Sequence, residues 1–228
     1  MNLKKCFKSL TPFELGLWLS SMAVITVASF FSGAQGIVSG AASLIGVTAL
    51  IFVAKGMIAG QVLCIIFALM YGIISFFFRY YGETVTYVGM SLPMAVVSLI
   101  SWIKHPFKDS DEVEIDHLSA RKILWVTASA VGATVAFYFI LKALGTANLI
   151  FSTLSITTSW YACCFTFLRS PYYAVAYALN DIVLIVLWVS AAITDLSCLP
   201  MVFCFIMFLL NDLYGFYNWK RMQKLQTK

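Results

Sequence analysis

Apolar residues run through this chain in eight stretches, with short polar breaks between them. A helix rises about 1.5 Å per residue, so roughly 20 mostly apolar residues cross the hydrocarbon core of a bilayer. Stretches of that length occur at Glu14–Phe31, Ile37–Ala54, Met57–Phe78, Thr84–Ile103, Ile123–Leu144, Leu149–Leu168, Tyr172–Ile193 and Leu199–Tyr217. The pattern predicts an all-α integral membrane protein of about eight transmembrane helices. The second stretch is rich in Ser, Gly and Ala, small residues that let helices approach closely, and this predicts a buried place in the bundle.

Composition supports that reading. The chain is 61% hydrophobic and 11% charged, whereas a soluble domain is roughly 45–50% apolar and roughly 25% charged. So few charges could not cover a soluble surface. The net charge of +5 does not mark a nucleic-acid binder, because Lys and Arg sit in small clusters between the apolar stretches. With the N-terminus inside, every Lys and Arg except Arg79 and Lys142 falls in a cytoplasmic loop or tail. The positive-inside rule expects this asymmetry, and seven spans would put the basic C-terminal tail on the wrong side. Lys4, Lys5 and Lys8 precede a first stretch long enough to span, without a small-x-small cleavage site, so a span is expected there and not a cleaved signal. The cysteines, Cys198 among them, lie mostly in apolar stretches and form no CxxC pair. Neither a metal site nor a disulfide framework is expected.

The one long hydrophilic segment is 104–122, with His105, His117 and five acidic residues. It reads as a solvated cytoplasmic linker. Across it the chain hints at a duplication: a polar helix, a basic turn and an apolar helix occur at Ser43–Tyr71 with Lys55-Gly56, and again at Thr153–Asp181 with Arg169-Ser170-Pro171. Each is followed by one further span, ending near Trp102 and Trp219. Parallel repeats of this kind build transporters. The expected organisation is a tail and extra helix (1–35), a three-helix bundle (36–103), the linker (104–122), a connecting helix (123–147), a second bundle (148–219) and a basic tail (220–228).

Polar groups at membrane depth are costly and call for a reason. Leu179-Asn180-Asp181 lies in the seventh stretch and Leu210-Asn211-Asp212 in the eighth, followed by Tyr214, Tyr217 and Trp219. Asn offers both donors and acceptors, suited to an amide or to ribose hydroxyls, and aromatic faces attract a cationic ring. The plainer reading of one such Asn is helix-to-helix bonding worth about 0.6 kcal/mol. Two of them, each beside Asp and aromatics, favour a site in the pore. Gln61 in the third stretch and Trp160 in the sixth are further candidates, while Trp102 and Trp188 read as interfacial belt residues. Pro93 would kink its helix or free a carbonyl. No GxxxxGK[ST], HExxH or GxSxG occurs, so neither a nucleotide-driven pump nor an enzyme is expected.

Val53-Ala54-Lys55-Gly56, Tyr81-Gly82-Glu83, Pro93-Met94 with Trp102, and the ending Asn211-Asp212-Leu213-Tyr214-Gly215-Phe216-Tyr217-Asn218-Trp219 together resemble the PnuC transporters, bacterial importers of vitamins and nucleosides. The resemblance implies a SWEET-like fold, two three-helix bundles joined by a linking helix, to which the span pattern adds an extra helix at the N-terminus. It implies a homotrimer in the bacterial inner membrane, without cofactor, that imports nicotinamide riboside by facilitated diffusion and traps it by phosphorylation inside the cell. It implies substrate contacts from Asn180 and Asn211, with Gln61 from the opposite bundle; Asp181, Asp212, Tyr177, Tyr214 and Trp160 complete the expected set. The chain departs from the family where Tyr172, Tyr173 and Tyr177 replace two tryptophans, and where Phe67 and Ala95 replace an Asn and a Gln. Thiamine, riboflavin and deoxynucleosides therefore remain alternative cargoes. A proton-coupled symporter using Asp181 and a non-transporting membrane scaffold remain alternative classes.

Overall fold

The computed structural model describes residues 3–30, 33–77, 81–108, 110–146, 148–194 and 199–227. Phe31, Phe78, Arg79, Cys198, Lys228 and the side chains of Lys4 and Lys5 lie outside the described residues. A short helix α1 (Leu3–Lys8) precedes α2 (Pro12–Phe30), α3 (Gly33–Ala54), α4 (Ile58–Phe77), α5 (Tyr81–Lys104), α6 (Ala120–Ala143), α7 (Leu149–Phe167), α8 (Tyr172–Thr194) and α9 (Leu199–Gln226). Seven of these are long and apolar enough to cross a membrane, and α3 adds a shorter apolar stretch at Gly40–Ala54. The all-helical architecture and about eight helices expected from the sequence are thus present.

Helix starts and stops follow from local chemistry. Thr11 caps α2: its Oγ1 accepts from Glu14 N at 3.3 Å, while Glu14 Oε2 accepts from Thr11 N at 2.6 Å, and Pro12 occupies the first helical turn. This is the reciprocal capping box that a T-x-x-E spacing encodes. Helix α9 continues past the predicted end at Tyr217 to Gln226, because Met222 is buried and Gln226 bonds to the backbone of Val113 and Ile115. In α5 a single π-helical turn covers Tyr87–Ser91, and Leu92 N donates to Tyr87 O. Pro93 follows at once; it has no N–H for the carbonyl four residues back and its ring clashes there, so the preceding turn widens.

Helices α3–α5 form one bundle and α7–α9 a second, meeting along two seams, α3 against α9 and α5 against α7. Helix α6 packs on α7, and its Leu141 reaches Met90 of α5. Helix α2 packs on α3 and α9 in the matching way. The extra N-terminal helix thus stands to the first bundle as the connecting helix stands to the second, and among the described residues each half of the chain has four long helices.

The duplication is written most plainly in the hydrogen bonds at the linker end of the bundle. Helix α3 ends with Gly56 N bonded to Val53 O at 2.8 Å and Met57 N to Phe52 O at 2.9 Å. Helix α7 ends with Arg169 N bonded to Thr166 O at 3.0 Å and Ser170 N to Phe165 O at 2.9 Å. Gly56 and Arg169 both have positive φ, at 66° and 53°, as this kind of helix stop requires. The last carbonyls of both helices also accept donors from across the seams. Trp219 Nε1 donates to Val53 O and Asn218 Nδ2 to Ala54 O, both at 2.8 Å; Trp102 Nε1 donates to Thr166 O and Ser101 Oγ to Phe167 O, both at 2.9 Å. Each bundle closes the other. Trp102 and Trp219 are fully buried, with ring centroids 5.4 Å apart. The belt position expected for Trp102 is therefore corrected: its N–H has a buried carbonyl to satisfy.

The linker, too, differs from a solvated strap. Val113 and Ile115 are buried against Trp102, Tyr173, Trp219 and Met222. Val113 N donates to Gly56 O at 2.9 Å and Asp116 N to Arg169 O at 3.1 Å, so the segment joins the two repeated turns. His105 Nδ1 pairs with Ser101 O, and His117 Nδ1 lies 3.4 Å from Gln223 Nε2. Partial burial pushes the Asp116 carboxyl up, but Lys122 at 2.6 Å and then Arg169 at 3.4 Å outweigh it and hold it below its ordinary 3.8. A carboxyl with a depressed folded value stabilises above its unfolded value and stops doing so as pH falls through the folded one. The thermal midpoints of wild type and Asp116→Asn should therefore keep a constant gap from neutrality down to pH 3.8 and converge only below it. Convergence already near neutral pH would contradict this assignment.

Candidate functional site

A cavity of about 450 Å³ lies between the two bundles. That is ample for a small organic ligand, since ligand pockets run from about 300 to 1,000 Å³. Val53, Ser98 and Thr166 line it at the linker end, so the crossed tryptophan bonds form its floor. At the opposite end it reaches Tyr81, Thr146 and Asn148. Every long helix except α2 contributes to the wall.

Helix α8 supplies the densest face. Tyr177, Asn180, Asp181, Leu184 and Trp188 follow the three- and four-residue steps that bring side chains to one side of a helix, and all line the cavity. Thr158 Oγ1 donates to Asn180 Oδ1 at 2.9 Å, which fixes the amide and leaves its Nδ2 for the cavity. Tyr177 Oη lies 3.5 Å from Cys163 Sγ. The carboxyls of Asp181 and Asp212 are within hydrogen-bonding reach of each other, on α8 and α9. Both are buried, at 3% and 4% exposure, and Asp181 Oδ2 has no donor from the protein. Gln61 enters the same space from α4. Five of the residues expected from the sequence thus line one cavity: Gln61, Tyr177, Asn180, Asp181 and Asp212.

Three expected residues do not. Asn211 precedes Asp212 by one position, about 100° around the helix, so the two cannot face the same space. Its Nδ2 donates to Ser21 Oγ of α2 at 3.1 Å and to Met207 O at 2.8 Å. Tyr214 turns to the same side, and its hydroxyl donates to Glu14 Oε1 at 2.7 Å. Trp160 points to α6, where its Nε1 donates to Ser129 Oγ at 3.0 Å. For these three the expectation of a cavity position is corrected. Trp188, expected at the membrane interface, lines the cavity instead.

The first bundle adds wall residues beyond the expected contact set. Glu83, Tyr71, Tyr87 and Phe67 line the wall. Ser75 Oγ donates to Glu83 Oε2 at 3.4 Å, and the Tyr71 hydroxyl bonds to the same carboxyl. Tyr71 and Tyr87 ring centroids are 4.5 Å apart, with Phe67 at 5.6 and 5.8 Å from them. The signal for Glu83 was a carboxyl beside an apolar stretch. The predicted span starts one residue later, at Thr84, and Glu83 has no site role there, only a place in the Tyr81-Gly82-Glu83 motif of the resemblance. Among the described residues the wall holds three carboxyls and no Lys, Arg or His. Its chemistry suits a flat ligand bearing positive charge, an amide and hydroxyls.

Comparison with known proteins places these features in a wider setting. The family model described as Nicotinamide mononucleotide transporter matches residues 36–221. A Nicotinamide riboside transporter PnuC of Neisseria mucosa is 26% identical over 226 residues, covering 97% of this chain and 86% of that protein. The solved structure described as a crystal structure of the vitamin B3 transporter PnuC superposes with a TM-score of 0.81 at 26% identity, over 96% of this chain and 94% of that one.

Proposed function

From the premise that this chain belongs to the nicotinamide mononucleotide transporter family, we propose that its central cavity carries nicotinamide riboside across the membrane. The chain is a multi-pass membrane protein of a transporter family, not an enzyme. The observation that carries the substrate reading is the cavity wall, which offers a fixed amide, three carboxyls, aromatic faces and no basic group among the described residues. Nicotinamide riboside presents a flat pyridinium cation, a carboxamide and ribose hydroxyls. Asn180 and Gln61 supply hydrogen-bonding amides to the carboxamide or the ribose, from opposite bundles. Tyr177 gives a ring face, and Asp181 with Asp212 accept hydroxyl donors.

In the proposed cycle both termini and the linker face the cytoplasm of a bacterial inner membrane, as the placement of Lys and Arg supports. The cavity then opens outward first. Entry to the cell requires the bundles to rock apart at the linker end, which parts the crossed bonds of Trp102 and Trp219. Transport is passive, drawn inward by phosphorylation of the cargo. A homotrimer belongs to the same reading, and light scattering of the purified protein tests it. The Asp181–Asp212 pair favours a second reading, proton-coupled entry, which uptake insensitive to a protonophore would remove.

Among the described residues Trp188 is the one tryptophan that lines the cavity. Titration of the purified protein with nicotinamide riboside, thiamine, riboflavin and deoxynucleosides should give saturable fluorescence quenching with the first alone. The Trp188→Phe variant should lose most of that quenching while calorimetry still detects binding. Saturation by another ligand instead would keep the fold and family and replace the substrate.

A further inference from the structure

The three carboxyls of the wall are not equivalent. Asp181 and Asp212 face each other within the second bundle. Glu83 stands on the first, and the groups bonded to it are neutral hydroxyls, those of Ser75 and Tyr71. Beside it the rings of Tyr71, Tyr87 and Phe67 form one contiguous aromatic group, with centroids 4.5 to 5.8 Å apart. The widened turn that begins at Tyr87 lies one helical turn beyond Glu83, and both residues line the cavity. A carboxyl set at the rim of aromatic faces complements a flat cation twice over, through its charge and through the rings' negative faces. A neutral ring of the same shape would gain the stacking alone. Asp181 Oδ2, buried in the same cavity without a protein donor, is an independent acceptor for the rest of such a ligand.

We propose that Glu83, with Tyr71 and Tyr87, is the charge filter of the cavity: it accepts a positively charged aromatic ring and discriminates against the neutral form of that ring. This rests on the substrate reading above and adds the residue that selects. Hydride addition converts the pyridinium of nicotinamide riboside into an uncharged dihydropyridine with the ribose and carboxamide unchanged, and the two forms make a matched pair of probes.

The test is calorimetric titration of the full chain in detergent with both forms, for wild type, Glu83→Gln and Glu83→Asp. Wild type should prefer the cation by about tenfold or more, the order expected for a desolvated cation–π contact with a charge behind it. Glu83→Gln should weaken the cation about tenfold and leave the dihydro form within about twofold, which also reports an intact fold. Glu83→Asp keeps the charge and should retain part of the preference. Equal weakening of both forms by Glu83→Gln would assign Glu83 a structural role, and an unchanged preference would remove it from recognition; either overturns the filter alone. Should Glu83→Gln not fold, the wild type decides: equal affinity for the cation and the dihydro form would overturn the filter as well. A wild type that binds neither form overturns the substrate reading, and this inference with it.

Discussion

Replacement of Asn180 by Leu is expected to lower the affinity for nicotinamide riboside by about tenfold to a hundredfold while leaving the protein folded. Asn180 is held by Thr158, and its free amide donors face the cavity. Leu has nearly the same size but leaves polar atoms of the ligand unpaired in a water-poor site, a loss of about 1–3 kcal/mol, where each 1.4 kcal/mol is about tenfold. Thr158 does not become an orphan, because its hydroxyl also bonds to Leu154 O at 3.1 Å and Ser155 O at 3.0 Å. The thermal midpoint should therefore move little. An unchanged titration curve for Asn180→Leu would take Asn180 out of the binding site, and a lost fold would show that Thr158–Asn180 is chiefly structural.

The largest expected effect on stability lies at Glu14. Its carboxylate accepts from Lys55 Nζ at 3.0 and 3.1 Å, from the Tyr214 hydroxyl and from Thr11 N, and its side chain is 2% exposed. One acid thus caps α2 and binds that helix to α3 and α9 together. Removing one member of such a pair leaves a buried charge uncompensated, at about 3–5 kcal/mol, whereas replacing both by uncharged groups is often nearly neutral. Glu14→Gln and Lys55→Met should each lower the unfolding midpoint in detergent sharply. The double variant should be more stable than either single one, and that inversion is the diagnostic outcome. Additive losses in the double variant would mean that the two side chains act independently.

The spans could be read along the chain because lipid imposes a simple demand, an apolar helix of fixed length, and seven of the eight predicted stretches coincide with helices to within four residues at each end. Two departures have local causes. The end of α9 was placed too early because Lys220 and Arg221 look like a membrane boundary, while Met222 and Gln226 are held by the linker. The start of α5 was placed too late, and Glu83 was lost with it. The site was legible on α8, where one helical face carries Tyr177, Asn180 and Asp181 together. It was misread on α9, because the repeated Leu-Asn-Asp suggested equal roles for Asn180 and Asn211. A tripeptide does not carry its helix rotation. On α9 it is Asp212 that faces the cavity, and Asn211 turns to Ser21 of the extra helix. The duplication itself was visible as a faint spacing, but the proof lies in backbone carbonyls, which have no letters in a sequence.

The crossed tryptophan bonds also set an order in time. Thr166 O is made after Trp102, so its donor already waits when the second half emerges from the ribosome. Val53 O is made early, and its donor Trp219 comes much later, on α9. The first half of the molecule thus enters the bilayer with one helix end open, and a template for the second half at the other seam. Symmetry in the finished protein is reached by an asymmetric assembly, in which α9 closes the much earlier α3.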